Sequence, residues 1–156
     1  RLSRTVLRCA PILLVAAFLP SPYSVTLPAG WIAGLLFILS LLLGFLVLVA
    51  FSMLIYLSAF YTISSLGIRL LATSVVEFFA GGIIPLPFLP ESIQPFFYAL
   101  PFASMQNTPF LIYTGYMQGD QALWSMAGQC AWLAGLVLAG RLLMHRALKK
   151  VVVQGG

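Results

Sequence analysis

FFAGGIIPLPFLPESIQPFFYALPFASMQNTP, residues 78–109, is an apolar run broken by Gly81-Gly82 and by prolines at 85, 87, 90, 95, 101 and 109. Its side chains suit lipid or a protein interior. Each proline removes a backbone donor and prevents a continuous helix. Unpaired backbone cannot face hydrocarbon, so the segment must be shielded by protein, line a cavity or lie near a membrane surface. It points to a function at one membrane face.

The rest of the chain sets the class. Of 156 residues, 62% are hydrophobic and 7% are charged, whereas a soluble domain carries about 25% charged residues. Mean hydropathy is +1.06. No charged residue or histidine occurs from Cys9 to Ile68, far beyond the ~20 residues that one helix needs to cross a bilayer. The expected class is an all-α integral membrane protein with the lipid bilayer as partner. The net charge of +5 is no nucleic-acid signal, because the cations sit at the ends of apolar segments. The chain opens R-L-S-R-T-V-L-R without Met. A signal peptide shares the basic start, but the apolar remainder favours part of a longer membrane protein. Cys9 and Cys130 have no second ligand at metal spacing and are expected as buried thiols.

Four spans are expected, at about 6–27, 31–57, 68–84 and 120–141. Arg1, Arg4 and Arg8 fall on one face of the first. Tyr56, Phe60 and Tyr61 suit the interface at the far end of the second, and Ser64, Ser65 and Gly67 form a turn. The third ends at the glycine pair, where a bend or unwinding is expected. An external re-entrant segment, about 85–118, follows as two short pieces near Ser92–Leu100 and Thr108–Gln118. Asn107-Thr108-Pro109 reads as a helix start. Asp120 reads as the N-cap of the last span, and 142–156 as a tail.

Basic residues orient the chain. With the tail in the cytoplasm, counting back through four spans puts Arg1, Arg4, Arg8, Arg69, Arg141, Arg146, Lys149 and Lys150 on one face. The proline-broken segment, Glu91 and Asp120 fall outside.

The ionisable residues do not make an enzyme. Glu77 is the one acid expected within a span, about 12 Å deeper than Arg69 on a helix. An intramembrane acid is a candidate for substrate or ion contact, beside the plainer reading of a hydrogen-bonded structural group. His145 suits the headgroup level. No metal-ligand spacing, nucleophile–base pair or phosphate-cradling glycine loop is found, and no catalytic, cofactor or metal residue is expected.

The block F-F-A-G-G-I-I-P-L-P-F-L-P, followed by L-P-F at 100–102, Pro109 and Gly115, resembles the permease subunits of bacterial type-2 ABC exporters. R-L-S-R-T-V-L-R-C-A-P, Phe60-Tyr61-Thr62, Gly67-Ile68 and V-Q-G-G at 153–156 extend the likeness over the whole chain. Tyr61 stands where Trp is usual, and Glu77 where a neutral residue is expected. The resemblance implies six spans, of which this chain would carry the C-terminal four, without the main helix that contacts the ATPase. It implies an ATP-driven exporter in the bacterial plasma membrane and a dimer with a second copy or a related permease. ATP-binding subunits would dock on the cytoplasmic face and hold ATP and Mg; this chain would hold no cofactor. Glu77, Gly81, Gly82, Pro85, Pro87 and Pro90 become candidates for the substrate pathway or outer gate. The eight basic residues become candidates for headgroup or partner contact. A stand-alone secondary transporter would call for internal repeats and more intramembrane charge, and a membrane-embedded enzyme for an acid or histidine cluster. Neither pattern is present.

Overall fold

Trp31–Ser58 contains no proline and no charge, so nothing interrupts its helix. In the computed structural model it forms α1, of 28 residues. The structure describes residues 30–58, 61 and 65–153, together with isolated helical positions 7, 10, 11, 14, 15 and 18. Most of the expected first span, Phe60 and Ser64 lie outside the described residues, as do the side chains of Lys149 and Lys150. All regular elements among the described residues are helical.

After α1 come α2 (Ser65–Phe79), a 3-10 turn at Leu86–Phe88, α3 (Gln94–Ala99), α4 (Pro101–Tyr113) and α5 (Asp120–Val153). Helices α1, α4 and α5 pack against one another, and α2 joins them through α1 and α4. On α1 the buried positions are Ser40, Gly44, Val47, Ala50 and Leu57. They form a mostly small stripe at helical spacing, while Leu35, Leu42 and Phe45 face outward. On α5, Ala122, Gln129 and Leu136 recur every seven residues and are likewise buried. Two helices, Trp31–Ser58 and Asp120–Leu148, are long and apolar enough to cross a membrane. Only 17% and 11% of their most apolar windows are buried, unlike a core helix of a soluble domain. Large side chains outside and small ones inside suit helices that pack closely in lipid.

Several expectations change. Helix α2 stops at Phe79 rather than near 84, and its 15 residues rise about 22 Å, short of the ~30 Å core. Ser65 and Gly67 belong to α2 rather than to a turn. Asp120 is the first residue of α5, not its cap: the Leu123 amide bonds Gly119 O at 3.2 Å. In that first turn its carboxylate faces the positive end of the helix dipole. No break separates a tail from the last span, because α5 runs on through Arg141, His145 and Arg146 to Val153. Cys130 is a free thiol, exposed rather than buried.

Pro109 does not open a helix but lies inside α4, which starts at Pro101. Pro101 has no amide to leave unpaired in the first turn, so it starts the helix one element earlier than the Asn107 cap signal. Burial of α4 between α1 and α5 then carries the helix through Pro109.

Candidate functional site

The proline-broken segment resolves its backbone conflict locally. Helix α2 ends in a paired cap: the Gly82 amide bonds Glu77 O at 3.0 Å and the Gly81 amide bonds Phe78 O at 3.4 Å. Gly81 has φ +83°, a conformation that side chains with a Cβ disfavour. The prolines from 85 to 101 then each serve as an acceptor or a helix start. Pro85 O accepts the Phe88 amide, and Pro90 O accepts the amides of Ile93 and Gln94. Pro95 stands in the first turn of α3 and Pro101 in that of α4. The Gln94 side-chain amide donates to Leu89 O at 2.7 Å and to Pro87 O at 3.3 Å. Missing donors are thus balanced by turns and one glutamine.

Aromatic rings hold this coil in place. Phe79 lies 5.2 Å from Phe97 and 5.9 Å from Phe102, measured between ring centroids. Phe102 meets Phe51 of α1 edge-on at 5.2 Å. Leu86 is completely buried beside Phe97 and Ala103. Leu86 and Phe97 are thus shielded by protein, while Ile83, Ile84, Phe88 and Phe96 remain exposed.

Helix α4 carries the polar chemistry. Gln129 of α5 is fully buried and donates to Ser104 O at 2.7 Å and to Ser40 O at 3.1 Å. Its Oε1 accepts the Ser40 hydroxyl at 3.1 Å. One amide thereby ties α1, α4 and α5 together. Beside it, Gly44 lets α1 approach the α4 backbone: a Cβ there would sit 2.7 Å from Met105 O and 2.9 Å from Ser104 O. Met105 O is the carbonyl that Pro109, lacking an amide, leaves without its helical donor.

A cleft of about 230 Å³ opens between Ala80, Gly81, Pro85 and Pro87 and the α4 residues Gln106, Asn107, Phe110, Leu111 and Thr114. Asn107 is buried, and its Nδ2 has no hydrogen-bond partner. Tyr98 of α3 brings its hydroxyl towards that amide without reaching hydrogen-bond geometry. Burial raises the Tyr98 phenol above its ordinary range, with the Asn107 amide acting the other way and the Tyr116 phenol adding to the rise. The phenol therefore stays protonated.

Of the sequence candidates, Gly81, Pro85 and Pro87 meet at this cleft; Gly82 and Pro90 flank it on the chain. Glu77 does not line it: its side chain is exposed, and its carbonyl serves the α2 cap. Arg69, Arg141 and Arg146 are exposed. Arg141 and His145 border an apolar groove of about 280 Å³ between α1 and α5. Arg1, Arg4 and Arg8 lie outside the described residues. Among the described residues no group of His, Cys, Asp and Glu could hold a metal ion. Asn107, Ser40 and Gln129 were missed from sequence, although a lone glutamine in an apolar span is a usable signal.

No curated protein and no solved structure matches the chain significantly. A family profile, that of the ABC-2 family transporter protein, matches residues 4–155. With nearly its whole length matched and two membrane-length apolar helices packed through small residues, the chain belongs to the ABC-2 transporter family as a transmembrane permease.

Proposed function

We propose that this chain is the C-terminal four-span portion of a six-span permease in an ATP-driven exporter of the bacterial plasma membrane. Helices α1 and α5 cross the bilayer. The third span, about 68–84, is α2 with the short turn at its end, and the stretch at 6–27 supplies the remaining span. The C-terminus is cytoplasmic, which gathers the eight Lys and Arg residues on one face. The permease pairs with a second copy or a related permease and docks an ABC ATP-binding subunit, which holds ATP and Mg. The chain itself provides passage rather than catalysis.

The observation that carries this reading is the family match over residues 4–155. We place the outer gate at the proline-broken coil. The coil from Gly81 to Pro90 packs through Leu86 on Phe97 and Ala103, Phe79 at the end of α2 meets Phe102 of α4, and α4 packs on both α1 and α5. A change in α1–α5 packing would therefore be felt at the cleft. Glu77, exposed on α2, is available to a partner permease or to the pathway. The test is ATP-driven efflux from proteoliposomes holding the full permease and its ATP-binding subunit. Efflux that needs ATP and both subunits is expected. Efflux without the ATP-binding subunit, driven by an ion gradient, would replace this reading with a secondary transporter.

A further inference from the structure

The C-terminal parts of α1 and α5 leave a groove of about 280 Å³ whose lining side chains are apolar apart from Arg141 and His145. Ala50 and Gly140 add little bulk to its wall, and the exposed side chains of Met53 and Leu148 border it. Arg141 and His145 are themselves exposed and stand one turn apart on one face of α5. No acid answers them: Glu77, Glu91 and Asp120 are the acids of the chain, and none lines the groove. With Asp120 at the opposite surface, Leu136 lies about 24 Å and Leu148 about 42 Å along α5. The groove therefore straddles the end of a ~30 Å hydrocarbon core. Its Leu136 end faces hydrocarbon, and Arg141 and His145 stand at the headgroup level.

We propose that this groove holds an anionic phospholipid, with one acyl chain laid between α1 and α5 and its phosphate received by Arg141, His145 standing beside it. A guanidinium meets a phosphate through two parallel N–H bonds, and even a neutral imidazole offers one N–H. Charge selects the headgroup, because a zwitterionic lipid would bring a cation to a site with no acid to receive it. The wall selects a lipid over a soluble anion, which would leave the apolar surface bare. The volume, about 280 Å³, is just under the ~300–1,000 Å³ of sites that engulf a drug-sized ligand. It takes part of one chain and leaves the second to the bilayer. The lipid ties α1 to α5 about 15 Å along α1 from the Ser40–Gln129 bond, so their packing responds to the lipid charge of that leaflet. The inference rests on the proposed orientation only for the leaflet, the cytoplasmic one. Binding is read without ATP, so failure of transport and failure of this site are distinguishable.

The experiment uses the full permease complex in nanodiscs of zwitterionic phosphatidylcholine. Two photo-crosslinking lipids, a phosphatidylglycerol and a phosphatidylcholine with the same diazirine acyl chain, are compared at equal trace amounts, and the labelled peptides are mapped. Labels are expected within residues 50–57 and 136–148. They should be about fivefold stronger for phosphatidylglycerol, the worth of one basic side chain at a headgroup. Arg141→Gln should bring the two probes close to parity. Gly140→Leu should reduce groove labelling by both. A Cβ at Gly140 meets only Leu54 Cδ2, at 3.8 Å, so a larger side chain fills the groove rather than striking backbone. Should either variant fail to fold, the two-probe comparison on the unaltered protein still decides. Equal groove labelling by the two probes would overturn the inference, because the headgroup would then go unread. The same preference at α1 and α5 residues far from the groove would also overturn it, as general attraction to a basic surface. So would absence of label in the groove, which would mean that protein covers it in the complex.

Discussion

Gln129 Nε2 lies 2.7 Å from Ser104 O, joining the last long helix to the helix that carries the cleft. The same amide holds Ser40 on α1. Interhelical hydrogen bonds in membrane proteins contribute about 0.6 kcal/mol on average and up to about 1.7. A double-mutant cycle of Ser40→Ala and Gln129→Leu should give a coupling in that range. Unfolding in mixed micelles measures it, and a coupling of zero would remove the joint from the account.

Gly44 faces backbone rather than a flexible side chain, so the clash at Met105 O cannot be relieved by a rotamer change. Gly44→Ala should destabilise by about 1–3 kcal/mol, the usual cost of overpacking. Gly135, where a Cβ would meet nothing within 4 Å, is the control: Gly135→Ala should be neutral or slightly stabilising in the same titration.

Gly81 combines φ +83° with Leu86 Cγ 3.2 Å from a would-be Cβ. Gly81→Ala should cost about 1–2 kcal/mol from the left-handed backbone alone. Limited proteolysis should then cut faster between residues 80 and 92.

Leu86 is completely buried under the phenylalanine cluster. Leu86→Ala should destabilise by about 2–5 kcal/mol, as buried leucine truncations do. Because Leu86 anchors the coil and not the α1–α5 contact, membrane insertion should be unaffected. A cysteine at Ser92 should become more reactive in this background.

How much of this was legible in the sequence varied with the range of the forces involved. Trp31–Ser58 was plain, because an unbroken apolar run leaves a helix as its one satisfied backbone. The end of α2 was half plain: Gly81 marked it, but the local cap placed it five residues before the expected end at 84. Pro109 misled, because burial of α4 between α1 and α5 outweighed a local start signal. The cleft was not legible. Asn107 reads as a cap in one dimension, and the fold alone brings it opposite Pro85 and Pro87. The pairs Phe78-Phe79 and Phe96-Phe97, flanking the break, were the overlooked sign that its two sides close on each other.

The central claim is that the proline-broken segment sits on the outer face of an ATP-driven permease as its gate. The direct measurement is sided labelling of Ser92→Cys, with Cys9 and Cys130 replaced by Ala, in cells expressing the full permease and its ATP-binding subunit. Ser92 is exposed, just before α3. A membrane-impermeant maleimide should label it from outside, with a rate that changes several-fold when the ATP-binding subunit is trapped with nucleotide. Labelling from the cytoplasm alone, or an external rate indifferent to nucleotide, would contradict the account.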